Sequence, residues 1–299
     1  MREEPASNAT PARAGNEFYS IADRQAQVEY VQGRRAALWV PFLLPHVRPG
    51  MRLLDCGCGV GSITLDLAEI VAPGETVGID VDAGQLELAR AAAAARSLGN
   101  VRFAVGSIYE LPFADASFDL ALAHTVLVHL SEPLRALKAM RRVLAPGGIV
   151  AVSDDDNSTW VVAPEDSAMR RVMAELEPQV IAANGGSPSY SRNLRHLLLE
   201  AGFARTEGYA VAADFYGTLA ETRRFAAFVG RLMRNPDLVQ LMVARDWASP
   251  DELQALPAEL QAWGERPDAF AAVLYCAALG WVDGETPARQ DRSADHLPS

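Results

Sequence analysis

The chain is organised around Leu53-Leu54-Asp55-Cys56-Gly57-Cys58-Gly59-Val60-Gly61-Ser62-Ile63-Thr64. This stretch opens as an apolar run, breaks into glycines at alternate positions, and resumes with helical spacing through Leu65, Leu67, Ala68 and Val71. That order is strand, tight turn, helix. Glycines in such a turn let backbone approach a ligand, because no Cβ stands in the way. The first N–H groups of the helix then face that ligand with partial positive charge.

Asp55 narrows the choice of ligand. A dinucleotide turn follows G-x-G-x-x-G and aims its helix at a pyrophosphate. Here the spacing is Gly57-x-Gly59-x-Gly61, with an acid ahead of it. A carboxylate repels a pyrophosphate and attracts an ammonium or sulfonium group. Further on, Thr76-Val77-Gly78-Ile79-Asp80 reads as a short apolar strand ending in an acid. In doubly wound folds a carboxylate about twenty residues past the loop meets a ribose diol. Asp80 is the candidate for that role, with Val81 against the base and Asp82 as N-cap of a helix over 83–98.

The third strand is expected over 100–105, followed by Gly106-Ser107-Ile108 and then Leu111-Pro112-Phe113. A fourth strand over 118–123 delivers His124 to its carboxyl end, where side chains face the ligand crevice of a parallel sheet. His129 reads as packing. Arg135, Lys138, Arg141 and Arg142 form the solvated face of a helix over 133–143. Leu144-Ala145-Pro146-Gly147-Gly148 turns the chain into a fifth strand that ends in Asp154-Asp155-Asp156. Three adjacent acids repel one another, so either one serves the site or all three cap and solvate a loop.

The glycine turn, the acid-ended second strand, the Leu-Pro-Phe turn and the L-x-P-G-G turn occur in one order. Together they resemble the class I S-adenosylmethionine (SAM)-dependent methyltransferases, in the branch of ubiquinone-biosynthesis-like and small-molecule secondary-metabolite enzymes. The motifs cover about 50–153, and the order of later elements extends the match to roughly 282. The resemblance implies an α/β fold: a Rossmann-like, mostly parallel seven-stranded sheet with helices on both faces, plus a helical lid. It implies SAM as cofactor and S-adenosylhomocysteine as product. Asp55, Gly57, Cys58, Gly59 and Gly61 would wrap the methionine half, and Asp80 and Val81 the nucleoside. The family usually has an aspartate where this chain has Ser107, so adenine recognition would rest on Gly106, Ser107 and the backbone of Ile108. Tyr19 would close over the cofactor, and Arg34 would pair with the methionine carboxylate.

Of 299 residues, 49% are hydrophobic, enough for a large core. The net charge of −11 argues against a broad nucleic-acid footprint. No apolar run is long enough to span a membrane, and the first residues lack the apolar core of a secretory signal; a soluble, cytoplasmic protein is expected. Cys56, Cys58 and Cys276 make neither a disulfide framework nor a metal site. The expected division is an arm over 1–15, a SAM-binding core with its N-terminal helical segment over 16–156, helical lid insertions and the last two strands over 157–283, and a tail over 284–299. Whether the chain forms a homodimer is open at this level.

An apolar helical lid without a basic groove favours a small, lipophilic or aromatic acceptor, with no nucleic acid and no membrane as partner. His124 is the leading candidate for a general base or acceptor-orienting group, because its ordinary pKa suits the task. Asp154 or Asp155 is second. Two other functions stay open: a non-catalytic protein that only binds SAM or a partner, and a nicotinamide-dependent oxidoreductase. Tight SAM binding without turnover would mark the first, and nicotinamide binding without SAM binding the second.

Overall fold

Eight strands make one mixed sheet in the computed structural model, which describes residues 31–183 and 185–284. Tyr19 and both expected terminal arms lie outside the described residues, apart from Gly284. The spacing predicts one helix over 33–47, but α1 (Ala36–Trp39) is a single turn. It stops at Val40, with φ −131° and ψ 43°. Val40 precedes Pro41, and a proline ring clashes with helical backbone at the residue before it.

β1 (Leu53–Cys56) passes through the glycine turn into α2 (Ser62–Val71). β2 (Thr76–Asp80), α3 (Ala83–Ala95), β3 (Val101–Val105), β4 (Phe118–His124), α4 (Pro133–Val143) and β5 (Leu144–Asp155) follow. β1 is buried along its whole length, as a strand covered on both faces must be. These five strands pair in parallel. Asp55 is level with Leu122, Cys56 with Ile79, and His124 with Ser153. The register therefore brings the carboxyl ends carrying the glycine turn, Asp80, His124 and Asp155 to one edge of the sheet.

The second half contributes β6 (Val161–Ala163), α5 (Ala168–Arg171), a π-helical turn (Val172–Leu176), α6 (Glu177–Ala183) and α7 (Leu194–Glu200). Then come β7 (Arg205–Tyr216), α8 (Leu219–Leu232), α9 (Pro236–Ala244), α10 (Pro250–Gly264) and β8 (Phe270–Trp281). The strand order is β3-β2-β1-β4-β5-β8-β6, with β7 on the other edge of β8. β8 is antiparallel to β5, β6 and β7.

Seven strands were expected, and the eighth is β6, within a stretch whose periodicity reads as helix over 157–184. β8 outruns β5. Its Tyr275–Trp281 half pairs with β5, and the overhanging Phe270, Ala271 and Ala272 pair with β6. Unpaired backbone groups there would cost free energy, and the β-branched Val161 and Val162 suit a strand. Pairing decides this segment against its local pattern.

Two apolar layers sandwich the parallel sheet. Leu54, Val77, Val150 and Val152 pack with Leu137, Met140, Leu194 and Leu198 on one face. Leu53, Leu120, Leu122 and Ala151 pack with Trp39, Leu43, Leu67 and Val71 on the other. A third core belongs to the helices of the second half. Met169, Leu176, Phe225, Val229, Leu256, Leu260 and Trp263 are buried together there. Full burial of one such side chain contributes about 1.5–3 kcal/mol. The Trp263 indole N–H donates to the Ala163 carbonyl at 2.9 Å, tying α10 to β6 and so to the sheet.

Candidate active site

Gly57, Gly59 and Gly61 have φ of 74°, 53° and 77°, a region that side chains avoid. A Cβ on Gly57 would lie 2.4 Å from Cγ2 of Val126, so not even alanine fits. The turn is anchored to β2: the N–H groups of Gly57 and Cys58 donate to the Ile79 carbonyl at 2.8 and 3.0 Å. The Gly59 N–H donates to Oδ2 of Asp80 at 2.9 Å, and the Asp82 N–H to Oδ1 of Asp80 at 2.9 Å. Asp82 in turn caps α3 by accepting from the Gly84 N–H at 2.8 Å. Asp80 is thus held at the lip of the turn, its carboxyl pushed upward by burial. Asp55 is buried, and its Oδ2 accepts from the Thr64 hydroxyl at 2.6 Å. Burial raises its carboxyl to about 7.

His124 is 8% exposed, and neither ring nitrogen has a hydrogen-bond partner among the described residues. Trp39 meets it edge-on at 5.5 Å, and Tyr275 stacks on it at 5.6 Å. Burial and then the Arg34 charge push its imidazole well below the ordinary value. Arg34 is buried over the Trp39 ring at 4.2 Å, and its Nη1 donates to the Thr125 hydroxyl at 3.1 Å. Thr125 has φ of 57°. A β-branched residue there is strained, and such strain gathers at functional sites.

Arg34, Asp55, Gly57, Cys58, Gly59, Asp80, His124 and Asp155 line one cavity. Gly61 sits just behind it as N-cap of α2, close to Ala89 and Phe103. Four expected nucleoside contacts do not line the cavity. Val81 is exposed at 54%. The Gly106 N–H donates to the Asp80 carbonyl, Ser107 Oγ accepts from the Tyr109 N–H, and Ile108 packs into the core. Asp154 is also elsewhere. Strand side chains alternate between faces, so Asp154 follows Val150 and Val152 to the side of Tyr190, away from the cavity. There it is fully buried, beside the backbone N–H groups of Val126, Leu127 and Val128, and burial raises its carboxyl far above the usual range. Asp155 takes the opposite face and enters the cavity.

Two further carboxylates enter the cavity that sequence reasoning missed, Glu177 and Asp214. Glu177 carried a signal: it lies four residues after Met173, on the apolar stripe that runs on to Val180 and Ile181. It also follows the π-helical turn, a distortion frequent at functional sites. Asp214 carried none. Strict alternation from the buried Val211 would turn Phe215 inward and Asp214 outward. Between Val211 and Asp214 the ladder slips: three steps along β7 match two along β8. That bulge reverses the faces, leaving Phe215 54% exposed and Asp214 5% exposed. The Tyr216 hydroxyl donates to Asp214 Oδ1.

The large apolar and aromatic side chains of the second half also divide. Phe225, Phe228 and Met233 line the cavity. Met242 and Trp247 belong to the helical core, Tyr190 to the far face of the sheet, and Tyr216 stacks on Phe225 at 3.8 Å.

These features fit a sulfonium cofactor carrying an amino acid and a nucleoside. The turn has no room for side chains, an acid ends β2, and a buried histidine has unmet hydrogen-bonding capacity facing the same space. The comparisons agree. A family model described as "Methyltransferase domain" matches residues 48–202. An uncharacterized methyltransferase of Schizosaccharomyces pombe is 30% identical over 214 residues, covering 69% of this chain and 76% of that one. A probable methyltransferase of Aspergillus luteorubrus, ltbC, is 32% identical over 278 residues, covering 85% and 93%. The chain belongs to the class I SAM-dependent methyltransferases.

SAM is accordingly the cofactor of this methyltransferase. Among solved structures, the YcgJ protein of Bacillus subtilis shares the fold at a TM-score of 0.53 and 19% identity, over 82% of this chain and 97% of that one. Among the described residues, no helix of the methyltransferase is long and apolar enough to cross a membrane, and no cluster of acids, histidines and cysteines is built to hold a metal ion.

Proposed function

We propose that this methyltransferase acts on a small, lipophilic or aromatic, natural-product-like molecule, held between the carboxyl ends of the parallel strands and the helical layer. One observation carries the reading. A single cavity has the glycine turn on one wall and Trp160, Phe225, Phe228, Val229, Met233 and Leu238 on another. Both walls face one space, so a cofactor against the turn and an acceptor against the helices would meet within it. On this reading, residues 16–156 serve the cofactor and 157–283 chiefly cover the acceptor. The net charge of −11 argues against an RNA acceptor.

Bound SAM supplies a methyl group on an already activated sulfonium. The protein's task is then alignment and exclusion of water. Asp80 accepts from the ribose hydroxyls, and Arg34 pairs with the methionine carboxylate. His124 is a poor general base, because burial opposes imidazolium formation. Its two ring nitrogens instead orient the ligands that meet above it. Asp155, raised only to about 6 by burial, is ionised at neutral pH and takes the acceptor's proton where there is one.

Calorimetry of wild type with SAM, beside Gly59→Val and Asp80→Ala, tests the cofactor contacts: binding should be lost or weakened in both variants. Incubation with methyl-deuterated SAM, a panel of lipophilic small molecules, and tRNA and protein controls tests the acceptor. Label found only in tRNA or protein would sink the small-molecule reading.

A further inference from the structure

Among the described residues, the cavity lining holds five carboxylates, Asp55, Asp80, Asp155, Glu177 and Asp214, against one guanidinium, Arg34. The cofactor accounts for two acids: Asp55 at the turn and Asp80 at the end of β2. The other three come from separate elements, β5, α6 and the bulge in β7, and line the same cavity as the apolar helices, with the charges of Asp155 and Asp214 both reaching Glu177. Asp155 Oδ1 and Glu177 Oε2 are both buried with no hydrogen-bond partner among the described residues. His124, 8% exposed and with both ring nitrogens likewise unpartnered, lines the same space.

A buried carboxylate oxygen without a partner is costly unless a proton or a cation offsets it; beyond those two oxygens, Asp155, Glu177 and Asp214 accept from Asn157, Trp160 and the Tyr216 hydroxyl. Burial and neighbouring acids do raise the proton affinity of Glu177 and Asp155. Glu177 reaches about 8 through burial and then the charges of Asp155 and Asp214, and Asp155 is raised to about 6 against the opposing pull of Arg34. A neutral lipophilic acceptor would leave Glu177 protonated and Asp155 opposed by Arg34 alone. An ammonium group would pair with both, and Trp160, Phe225, Phe228 and Tyr275 in the lining offer aromatic surface to the skeleton and the cation alike.

We infer that the acceptor carries a basic amine on an apolar or aromatic skeleton, and that Asp155, Glu177 and Asp214 bind its ammonium group while the lid binds the skeleton. This rests on the methyl-transfer reading above and adds the charge of the acceptor to it.

The test uses the full chain saturated with S-adenosylhomocysteine and titrated calorimetrically at pH 7.5. The probes are matched pairs: 2-phenylethylamine with 2-phenylethanol, tryptamine with tryptophol, and 4-phenylbutylamine with 4-phenylbutanol. The amine of at least one pair should bind about ten-fold or more tighter than its alcohol, since every 1.4 kcal/mol is ten-fold. In Glu177→Gln/Asp214→Asn that preference should fall to about two-fold or less, while affinity for S-adenosylhomocysteine stays unchanged. If the double variant does not fold, Asp155→Asn serves in its place, with the same expected loss of preference. Alcohols binding as well as amines, a preference that survives in the variants, or no binding by any pair would each overturn the inference. Failure of the folded wild type to bind S-adenosylhomocysteine would instead overturn the cofactor reading, and this inference with it.

Discussion

At the scale of single residues, steric fit and unmet hydrogen bonds decide. Gly57→Ala places a methyl 2.4 Å from Val126 Cγ2 at a φ of 74°. It should cost about 1–3 kcal/mol in urea unfolding, by strain and overpacking, and weaken SAM binding. Adding Val126→Ala should recover part of the stability, because the backbone strain remains when the clash is gone. His124 presents a different choice. If it orients ligands rather than taking a proton, His124→Gln keeps a donor and an acceptor, and kcat should fall less than about ten-fold. Asp155→Asn should cost about 10²–10⁴-fold, the usual range for removing a general base. If the acceptor atom loses a proton and His124→Gln falls as far as Asp155→Asn, the roles assigned here are reversed.

At the scale of elements, the helical layer depends on how its helices start. Thr218 and Glu221 form a full capping box at α8: Thr218 Oγ1 accepts from the Glu221 N–H, and Glu221 accepts from the Thr218 N–H at 3.0 Å. α8 supplies Phe225, Phe228, Val229 and Leu232 to the cavity wall. Thr218→Ala should therefore cost about 1 kcal/mol in urea unfolding and, if SAM binds at the glycine turn as proposed, raise KM for the acceptor more than Kd for SAM. An equal effect on both would mean that α8 reaches the cofactor side as well.

At the scale of the whole molecule, the buried acids set how stability follows pH. Glu177 lies against Asp155 and Asp214, which raise its carboxyl, and Trp160, whose hydrogen bond lowers it; Arg34 offsets the Asp155 charge. With its folded value near 8 against an ordinary 4.5, Glu177 holds a proton in the fold that the unfolded chain has released. Its contribution is complete below about 4.5 and is lost as pH rises through about 8. Glu177→Gln is spared that loss, so its melting temperature relative to wild type should climb between pH 5 and pH 9. A cost of about 1 kcal/mol, discounted for partial exposure, corresponds to about 2–4 °C. His129, pushed down to about 4 by burial, contributes the opposite trend below about 6.5, which the difference between the two proteins cancels. A flat difference across that range would show that Glu177 is ionised in the fold.

Local rules were enough for the glycine-turn wall of the cavity, though not for Val81, Gly106, Ser107 and Ile108. The turn from Asp55 to Gly61, Asp80 and His124 are each read from a local rule: a glycine where no Cβ fits, an acid or a histidine at the carboxyl end of a strand. Parallel pairing then brings strand ends to one edge with little freedom. The opposite wall depends on long-range pairing. One bulge in β7 exchanged Phe215 for Asp214 on the inner face, one step of alternation sent Asp154 away and Asp155 in, and the overhang of β8 drew Val161–Ala163 into an eighth strand. Each of these is a one-residue shift or a pairing between distant segments. Local hydrophobic spacing cannot report such events, because a slip of one residue reverses every side chain that follows it.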